Sequence, residues 1–98
     1  MSVMEEDSVT LNTGVTEIMD YALILWRFAA ENTLIAEINV LAYSITVYDD
    51  VLDGRFRDRL MVDHQTGSLT ITSITTQHTG LYKLLTNIVR KNFTLTVY

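Results

Sequence analysis

The stretch of sequence that decides the fold reads GSLTITSI at residues 67–74, followed by TGLYKL at residues 79–84. Leu69 and Ile71 alternate with polar residues, which is the two-residue period of a half-buried β-strand. Thr66-Gly67 stands just before this strand, and glycine adopts the positive φ that a tight turn needs. We therefore expect a hairpin that joins residues 60–62 to residues 68–72.

The same period continues outward from this hairpin. Two earlier runs show it, with Val9, Leu11 and Thr13 on one side of the first and Ile24, Trp26 and Phe28 on one side of the second. Branched and aromatic side chains crowd the runs, as is typical of strands. The pattern predicts strands at residues 2–5, 8–13, 22–28, 33–38, 44–48, 60–63, 68–74, 81–87 and 93–98. So many short strands in 98 residues indicate an all-β sandwich.

One segment leaves its secondary structure open. From Glu17 to Ala30 the apolar residues are nearly continuous, and positions 18, 22, 25 and 29 also fit helical spacing. Helix therefore stays an alternative there, and strand is favoured because the rest of the chain has the strand period.

Composition excludes several classes of protein. Seven basic against twelve acidic residues give a net charge of -5, which disfavours nucleic acid and anionic membranes as partners. No run approaches the roughly 18 apolar residues of a membrane span, so we expect a soluble chain that inserts no segment into a membrane. The absence of cysteine excludes disulfides and thiolate metal sites. The length predicts one domain, residues 1–98.

Residues 67–74 and 79–84 together resemble the E-to-F strand signature of immunoglobulin variable-type domains. Residues 8–11 look like strand B of that family, residues 24–28 like strand C with its buried tryptophan, and Arg55-Phe56 like the start of strand D. Tyr82 falls at the family's tyrosine corner, whose hydroxyl ties the E–F turn to the sheet. The resemblance covers the chain and implies an immunoglobulin-like sandwich of two antiparallel sheets with Greek-key connections. Its implied core comprises Val9, Leu11, Thr13, Ile24, Trp26, Leu69, Ile71, Tyr82 and Leu84.

The chain departs from the family at informative positions. Thr13 and Leu84 stand where the two inter-sheet cysteines belong, so Trp26 is expected to pack on aliphatic groups in place of a disulfide. Losing such a bond typically costs a small domain about 2–5 kcal/mol. His78 replaces the acid that pairs with the strand D arginine, so no salt bridge between positions 55 and 78 is expected. Strand G lacks the Gly-x-Gly bulge of antigen receptors, which excludes that class.

Within the superfamily, the chain looks most like the first domain of the signalling lymphocytic activation molecule family of adhesion receptors. The missing inter-sheet disulfide and residues 34–38 and 82–84 carry this likeness, and residues 48–56 resemble fish members of the group. The resemblance implies an extracellular domain of a cell-surface receptor. In that family the sheet of strands G, F, C, C′ and C″ meets the same sheet of a partner, either another copy or a related receptor.

The strand register predicts which side chains form such a face. If Trp26 points inward, the side chains of alternate residues on strands C and F point outward, and apolar residues also occupy turn positions between C′ and C″. The predicted interface comprises Leu23, Leu25, Arg27, Glu37, Val40, Leu41, Tyr43, Lys83 and Leu85. A register slip of one residue would place the leucines in the core instead. A surface altered by design to form a homodimer is a further interpretation of this apolar composition.

Scattered titratable residues do not form a recognisable catalytic or metal site. They are His64, His78, the carboxylates Asp49, Asp50 and Asp53, and the Asp63-His64 pair with Ser68 near it in the sequence. None has the ligand spacing of a zinc or calcium site, and no nucleophile elbow is present. We expect a binding protein with no cofactor, and not an enzyme. The alternative is a domain that binds a protein or peptide at its loop ends, residues 18–21 and 88–91. Asn92-Phe93-Thr94 is an N-glycosylation sequon.

Overall fold

The computed structural model describes residues 1–14, 23–28, 32–40, 42, 44–48, 50–86 and 90–98. Within these residues the strands are β1 (Ser2–Val3), β2 (Val9–Leu11), β3 (Leu23–Phe28), β4 (Thr33–Asn39), β5 (Ser44–Val47), β6 (Leu60–Val62), β7 (Leu69–Ile71), β8 (Gly80–Thr86) and β9 (Arg90–Val97). A single helical turn, α1 (Val51–Gly54), and a 3-10 turn at Thr76–His78 connect them. No helix in these ranges combines the length and the apolar character needed to span a membrane.

The strands form two sheets that pack as a sandwich. One sheet has six strands in the order β1-β9-β8-β3-β4-β5, and the other has three in the order β2-β7-β6. All described neighbours are antiparallel except β1 and β9, which run parallel through Ser2–Thr96 and Val3–Val97. The expected sandwich is therefore confirmed, with one parallel pair at an edge of the larger sheet.

β3 lies at the centre of the larger sheet and shows the predicted alternation. Ile24, Trp26 and Phe28 are buried, while the residues between them are half-buried. The helical alternative is thereby excluded for residues 23–28, and its remaining parts, 17–22 and 29–30, lie outside the described residues.

The expected core residues line the space between the sheets. Leu11, Ile24, Trp26, Leu69, Ile71 and Tyr82 are fully buried, and Thr13 and Leu84 are nearly so. Val9 is half-buried and packs against this core, as does Val62 from the smaller sheet.

The largest difference from the expected strands concerns the start of strand D. Arg55 and Phe56 lie in a turn, because Arg57 N–H donates to Gly54 O at 3.0 Å and Arg59 N–H donates to Phe56 O at 3.0 Å. Strand D is β6, which begins at Leu60. Phe56 is nevertheless fully buried, with its ring centroid 5.7 Å from that of Phe28.

Other boundaries shift for local reasons. β7 ends at Ile71, three residues earlier than expected, since Ser73 has φ 48° and the Ile74 N–H donates outside the sheet, to Asp7 O at 2.9 Å. β9 begins at Arg90, three residues earlier than expected, because residues 90–92 continue the ladder with β8.

Candidate protein-binding face

The outer face of the six-stranded sheet is built from the residues that alternate with the core. On β3 these are Leu23, Leu25 and Arg27, and on β8 they are Lys83 and Leu85. Leu25 pairs with Leu85, and Arg27 pairs with Lys83, so the two central strands present these side chains side by side. We call this surface, with Glu37 of β4 and Arg90 and Asn92 of β9, the outer face.

Two rows of side chains cross the outer face at right angles to the strands. The register aligns Arg90, Leu85, Leu25 and Glu37 on four neighbouring strands, and we call this set the leucine row. The adjacent basic row consists of Asn92, Lys83 and Arg27. Neighbouring side chains in a row lie about 5 Å apart because strands are spaced by that distance.

Three cations surround a groove on this face. Arg27, Lys83 and Arg90 line an open groove of about 460 Å³ together with Asn32 and Asn92. Arg27 Nη1 donates to Asn32 O at 3.1 Å, which holds the guanidinium toward the β3–β4 end. The groove is thus basic, although the chain as a whole carries a net charge of -5.

Glu37 provides the acidic end of the leucine row. Its carboxylate Oε2 accepts a hydrogen bond from the Tyr48 hydroxyl at 3.2 Å. Partial desolvation, with the adjacent Glu37 carboxylate, raises the pKa of Tyr48. The hydrogen bond ties Glu37 to the β5 side of the sheet, away from the basic groove.

The remaining predicted interface residues have different placements. Val40 is half-buried and packs against the core, because it follows directly after β4, so its role includes packing that the sequence prediction did not anticipate. Leu41 and Tyr43 lie outside the described residues, as do residues 18–21 and 88–89 of the alternative loop-end site. Sequence reasoning missed Arg90 and Asn92, which join the face through their pairing with Leu85 and Lys83.

The three leucines of the outer face are less exposed to solvent than the sequence predicted. Leu23, Leu25 and Leu85 are half-buried, since long side chains stand on the neighbouring strands. The large apolar side chains that are exposed in the described ranges lie elsewhere: Met1, Met4, Ile45, Met61 and Tyr98.

Behind the outer face, Trp26 links the two sheets. Its indole Nε1–H donates to Gly67 O at 2.9 Å, in the turn between β6 and β7. It belongs to a largely aliphatic core, and its ring centroid also lies 5.7 Å from that of Phe93, a contact that the sequence prediction did not include. Near Thr13 a second polar contact joins the sheets, because its carbonyl accepts from Lys91 Nζ of β9 at 3.1 Å. The Thr13 hydroxyl donates to Thr66 O at 2.7 Å within the smaller sheet.

Tyr82 fixes the turn below β8. Its buried hydroxyl donates to His78 O at 2.6 Å, which is the contact that a tyrosine corner makes. Burial raises the pKa of Tyr82, so this hydroxyl remains a donor at neutral pH.

His78 is fully buried and makes two hydrogen bonds. Its Nδ1 accepts from Thr75 N–H at 3.0 Å, and its Nε2 lies 2.6 Å from Arg55 O, which as a carbonyl can only accept. These partners define a neutral ring protonated on Nε2. The Arg55 guanidinium stacks 5.8 Å from the Phe28 ring centroid instead of pairing with residue 78.

Two of the other titratable residues, Asp50 and Asp63, have local partners, and Asp49 lies outside the described residues. Asp50 forms an exposed ion pair with Arg57 at 2.8 Å. Asp63 Oδ1 accepts from Gln65 N–H at 2.7 Å and Thr66 N–H at 3.2 Å, and these hydrogen bonds lower the pKa of Asp63. In the part of the chain that is described, no three His, Asp or Glu side chains converge as metal ligands.

No protein-family model and no curated protein matches the sequence. Solved structures match it closely in fold. The CD2-binding domain of CD58 aligns with a TM-score of 0.77 at 19% identity, over 99% of this chain and 52% of that one. CD84, described as a structure relevant to signalling lymphocytic activation molecule (SLAM) family function, aligns with a TM-score of 0.77 at 19% identity, over 99% of this chain and 94% of that one.

A third similar structure is a parallel homodimer of the extracellular domains of the voltage-gated sodium channel beta-4 subunit, which takes part in cell-cell adhesion. It aligns with a TM-score of 0.76 at 14% identity, over 100% of this chain and 82% of that one. The chain spans about half the length of the CD58 chain. The strand order, the buried Trp26, the tyrosine corner and these likenesses agree, and the chain has the fold of a variable-type immunoglobulin domain, formed here without a disulfide.

Proposed function

We propose that this chain is a protein-binding module of the adhesion type that acts through the outer face. Its expected partner is a second copy of the chain, and a related immunoglobulin domain is the alternative partner. The module comprises residues 1–98 as one domain and belongs to the extracellular part of a cell-surface receptor. It binds and does not catalyse.

The leucine row is the observation that carries the proposal. It places a cation at one end, two leucines in the middle and a carboxylate at the other end, across four neighbouring strands. Consider two copies stacked face to face about a two-fold axis that runs along the strands between β3 and β8. Arg90 of each copy then lies over Glu37 of the other, and Leu85 lies over Leu25. A two-fold contact requires a surface that complements itself, and this row does so.

The basic row supports the alternative partner. The same axis brings Lys83 of one copy over Arg27 of the other, and like charges held together oppose association. A related immunoglobulin domain with carboxylates at the matching positions would avoid that repulsion. Two of the similar structures offer precedents for the two arrangements, one as a homodimer and one as a domain that binds a different protein.

The test is a comparison of Leu25→Asp with Met61→Asp by sedimentation across a range of concentrations. Leu25 lies at the centre of the outer face, whereas Met61 is 63% exposed on β6 of the other sheet and serves as a matched control. With all three proteins produced without N-glycans, we expect the wild-type chain and Met61→Asp to dimerise and Leu25→Asp to remain monomeric, because a buried carboxylate without a partner strongly disfavours the contact. Equal behaviour of the two variants, each with an unchanged circular dichroism spectrum, would contradict the proposal.

A further inference from the structure

The sequon Asn92-Phe93-Thr94 lies on β9 with its two reactive residues on the outer face. Asn92 and Thr94 are exposed, while the Phe93 side chain points inward and packs against Trp26. Strand alternation therefore presents the acceptor amide and the threonine hydroxyl on one side. Asn92 pairs with Lys83, and together they line the basic groove with Arg27 and Arg90.

We propose that Asn92 is an N-glycosylation site and that its glycan covers the outer face, so that occupancy of Asn92 decides whether the face can dock. The inference rests on the proposed function for the docking step and for passage through a secretory pathway. In the modification, Asn92 Nδ2 forms a bond to C1 of an oligosaccharide donated by a lipid diphosphate carrier. The bond from C1 to the carrier oxygen breaks, the lipid diphosphate leaves, and the amide nitrogen loses one proton.

The position of Asn92 explains why a glycan there would prevent docking. Sheets that pack face to face lie about 10 Å apart, which leaves room for interdigitating side chains but not for a bulky hydrated sugar chain. Asn92 is one strand spacing from Lys83 and about 10 Å from Arg27, so the first sugars stand over the basic row. In the two-fold arrangement described above, β9 of one copy lies over β4 of its partner, and the glycan would occupy that space.

The site itself is tested by intact mass of the chain directed through the secretory pathway of animal cells, before and after enzymatic removal of N-glycans. Wild type and Thr94→Ser, which keeps the sequon, are expected to carry one glycan. Thr94→Ala and Asn92→Gln are expected to carry none. Secretion of a folded wild-type chain without glycan would overturn the proposal.

The covering role is tested on the same proteins by acylation of lysine side chains. The sequence has two lysines: Lys83 on the outer face beside Asn92, and Lys91, which points to the opposite side of β9 and donates to Thr13 O. We expect the glycan to slow the labelling of Lys83 several-fold relative to Lys91, and to abolish the dimer that the deglycosylated chain forms. Equal labelling ratios with and without glycan would overturn the covering role.

These readouts separate the two proposals. If the deglycosylated chain shows no self-association, the proposed function fails in its homodimer form, and the docking step inferred for Asn92 fails with it. The glycan site and its coverage of the face are still decided, by the mass and by the Lys83 labelling ratio.

Discussion

His78 makes a hydrogen bond that the acid expected at its position could not make. A carboxylate could accept from Thr75 N–H, but the bond to Arg55 O needs a donor, and the Nε2–H supplies it. Burial is the main cause that lowers the pKa of His78, and the nearby Arg59 and Arg55 guanidinium groups act in the same direction. The ring therefore resists protonation in the folded chain more than in the unfolded chain.

The consequence is a pH-dependent stability. Above the ordinary histidine pKa of about 6.5 the ring is neutral in both states and contributes no pH dependence. Below that pH the unfolded chain takes up a proton that the folded chain does not. We therefore expect the free energy of unfolding to decrease as the pH is lowered below this value. The slope from this group is up to about 1.4 kcal/mol per pH unit. Denaturant titrations between about pH 5 and 8 measure this slope.

Two variants test whether His78 causes this slope of unfolding free energy against pH. His78→Gln can still accept from Thr75 N–H and donate to Arg55 O, but it has no proton to gain. We expect this variant to lose the slope below pH 6.5, whereas His64→Gln, at an exposed turn residue, keeps it. A slope that survives in His78→Gln would show that another group is responsible.

At the scale of elements, contacts near Thr13 and Trp26 join the sheets at the place where antibody domains carry their inter-sheet disulfide. The Trp26 indole bonds the β6–β7 turn, and Thr13 bonds the same turn and receives Lys91 from β9. Only the Trp26 and Lys91 bonds cross from one sheet to the other, and at about 1 kcal/mol each their sum reaches the lower end of the value of a disulfide.

A cross-link at the family's cysteine positions tests this correspondence. We expect Thr13→Cys/Leu84→Cys to oxidise to an intramolecular disulfide, seen as the loss of two hydrogen atoms by mass. The oxidised form should exceed its own reduced form in unfolding free energy by about 2–4 kcal/mol. Comparing two redox forms of one protein cancels the loss of the Thr13 hydroxyl bond, and Leu84→Cys alone controls for the cost in the core. Failure to oxidise in the folded state would show that positions 13 and 84 do not face each other.

Local patterns predicted the strands well and the contacts between them poorly. The alternation in residues 23–28 gave the correct inward and outward sides of β3, because one buried face imposes a strict period of two. The tilted contact of Phe93 with Trp26 and the hydrogen bond from Lys91 to Thr13 depend on how two distant segments pack, which no local period encodes. The family resemblance placed the start of strand D at Arg55-Phe56, which lie in a turn, whereas the alternation pattern began that strand at residue 60, where β6 begins. On the outer face, the alternation predicted the residues of β3 and β8. Arg90 and Asn92 could be assigned to this face only from the pairing of β9 with β8.

At the scale of the whole molecule, charge is arranged unevenly. Arg27, Lys83 and Arg90, three of the seven basic residues of an acidic chain, gather on one groove. In the proposed homodimer this concentration opposes the attraction along the leucine row, since Lys83 faces Arg27 of the other copy. Self-association is therefore expected to be moderate, because salt screens the repulsion in the basic row and the attraction between Arg90 and Glu37 alike.

Reversal of one charge distinguishes the two kinds of partner. Lys83→Glu converts the repulsion with Arg27 of the other copy into attraction, so we expect it to tighten self-association several-fold at low salt, measured by sedimentation. Arg57→Glu makes the same change in net charge in the connection between β5 and β6, outside the two rows, where Arg57 pairs with Asp50, and should have little effect. Weaker self-association of Lys83→Glu would contradict the two-fold arrangement and favour an acidic partner domain.

The single tryptophan of the chain also offers a practical advantage. Because its indole N–H is hydrogen-bonded to the opposite sheet and its ring is fully buried, its fluorescence reports directly on the separation of the two layers. Emission should shift to longer wavelength when water reaches the ring, without any dye attached. Unfolding by denaturant, and any stabilisation against it by a bound partner, can thus be followed from the emission of this one buried residue.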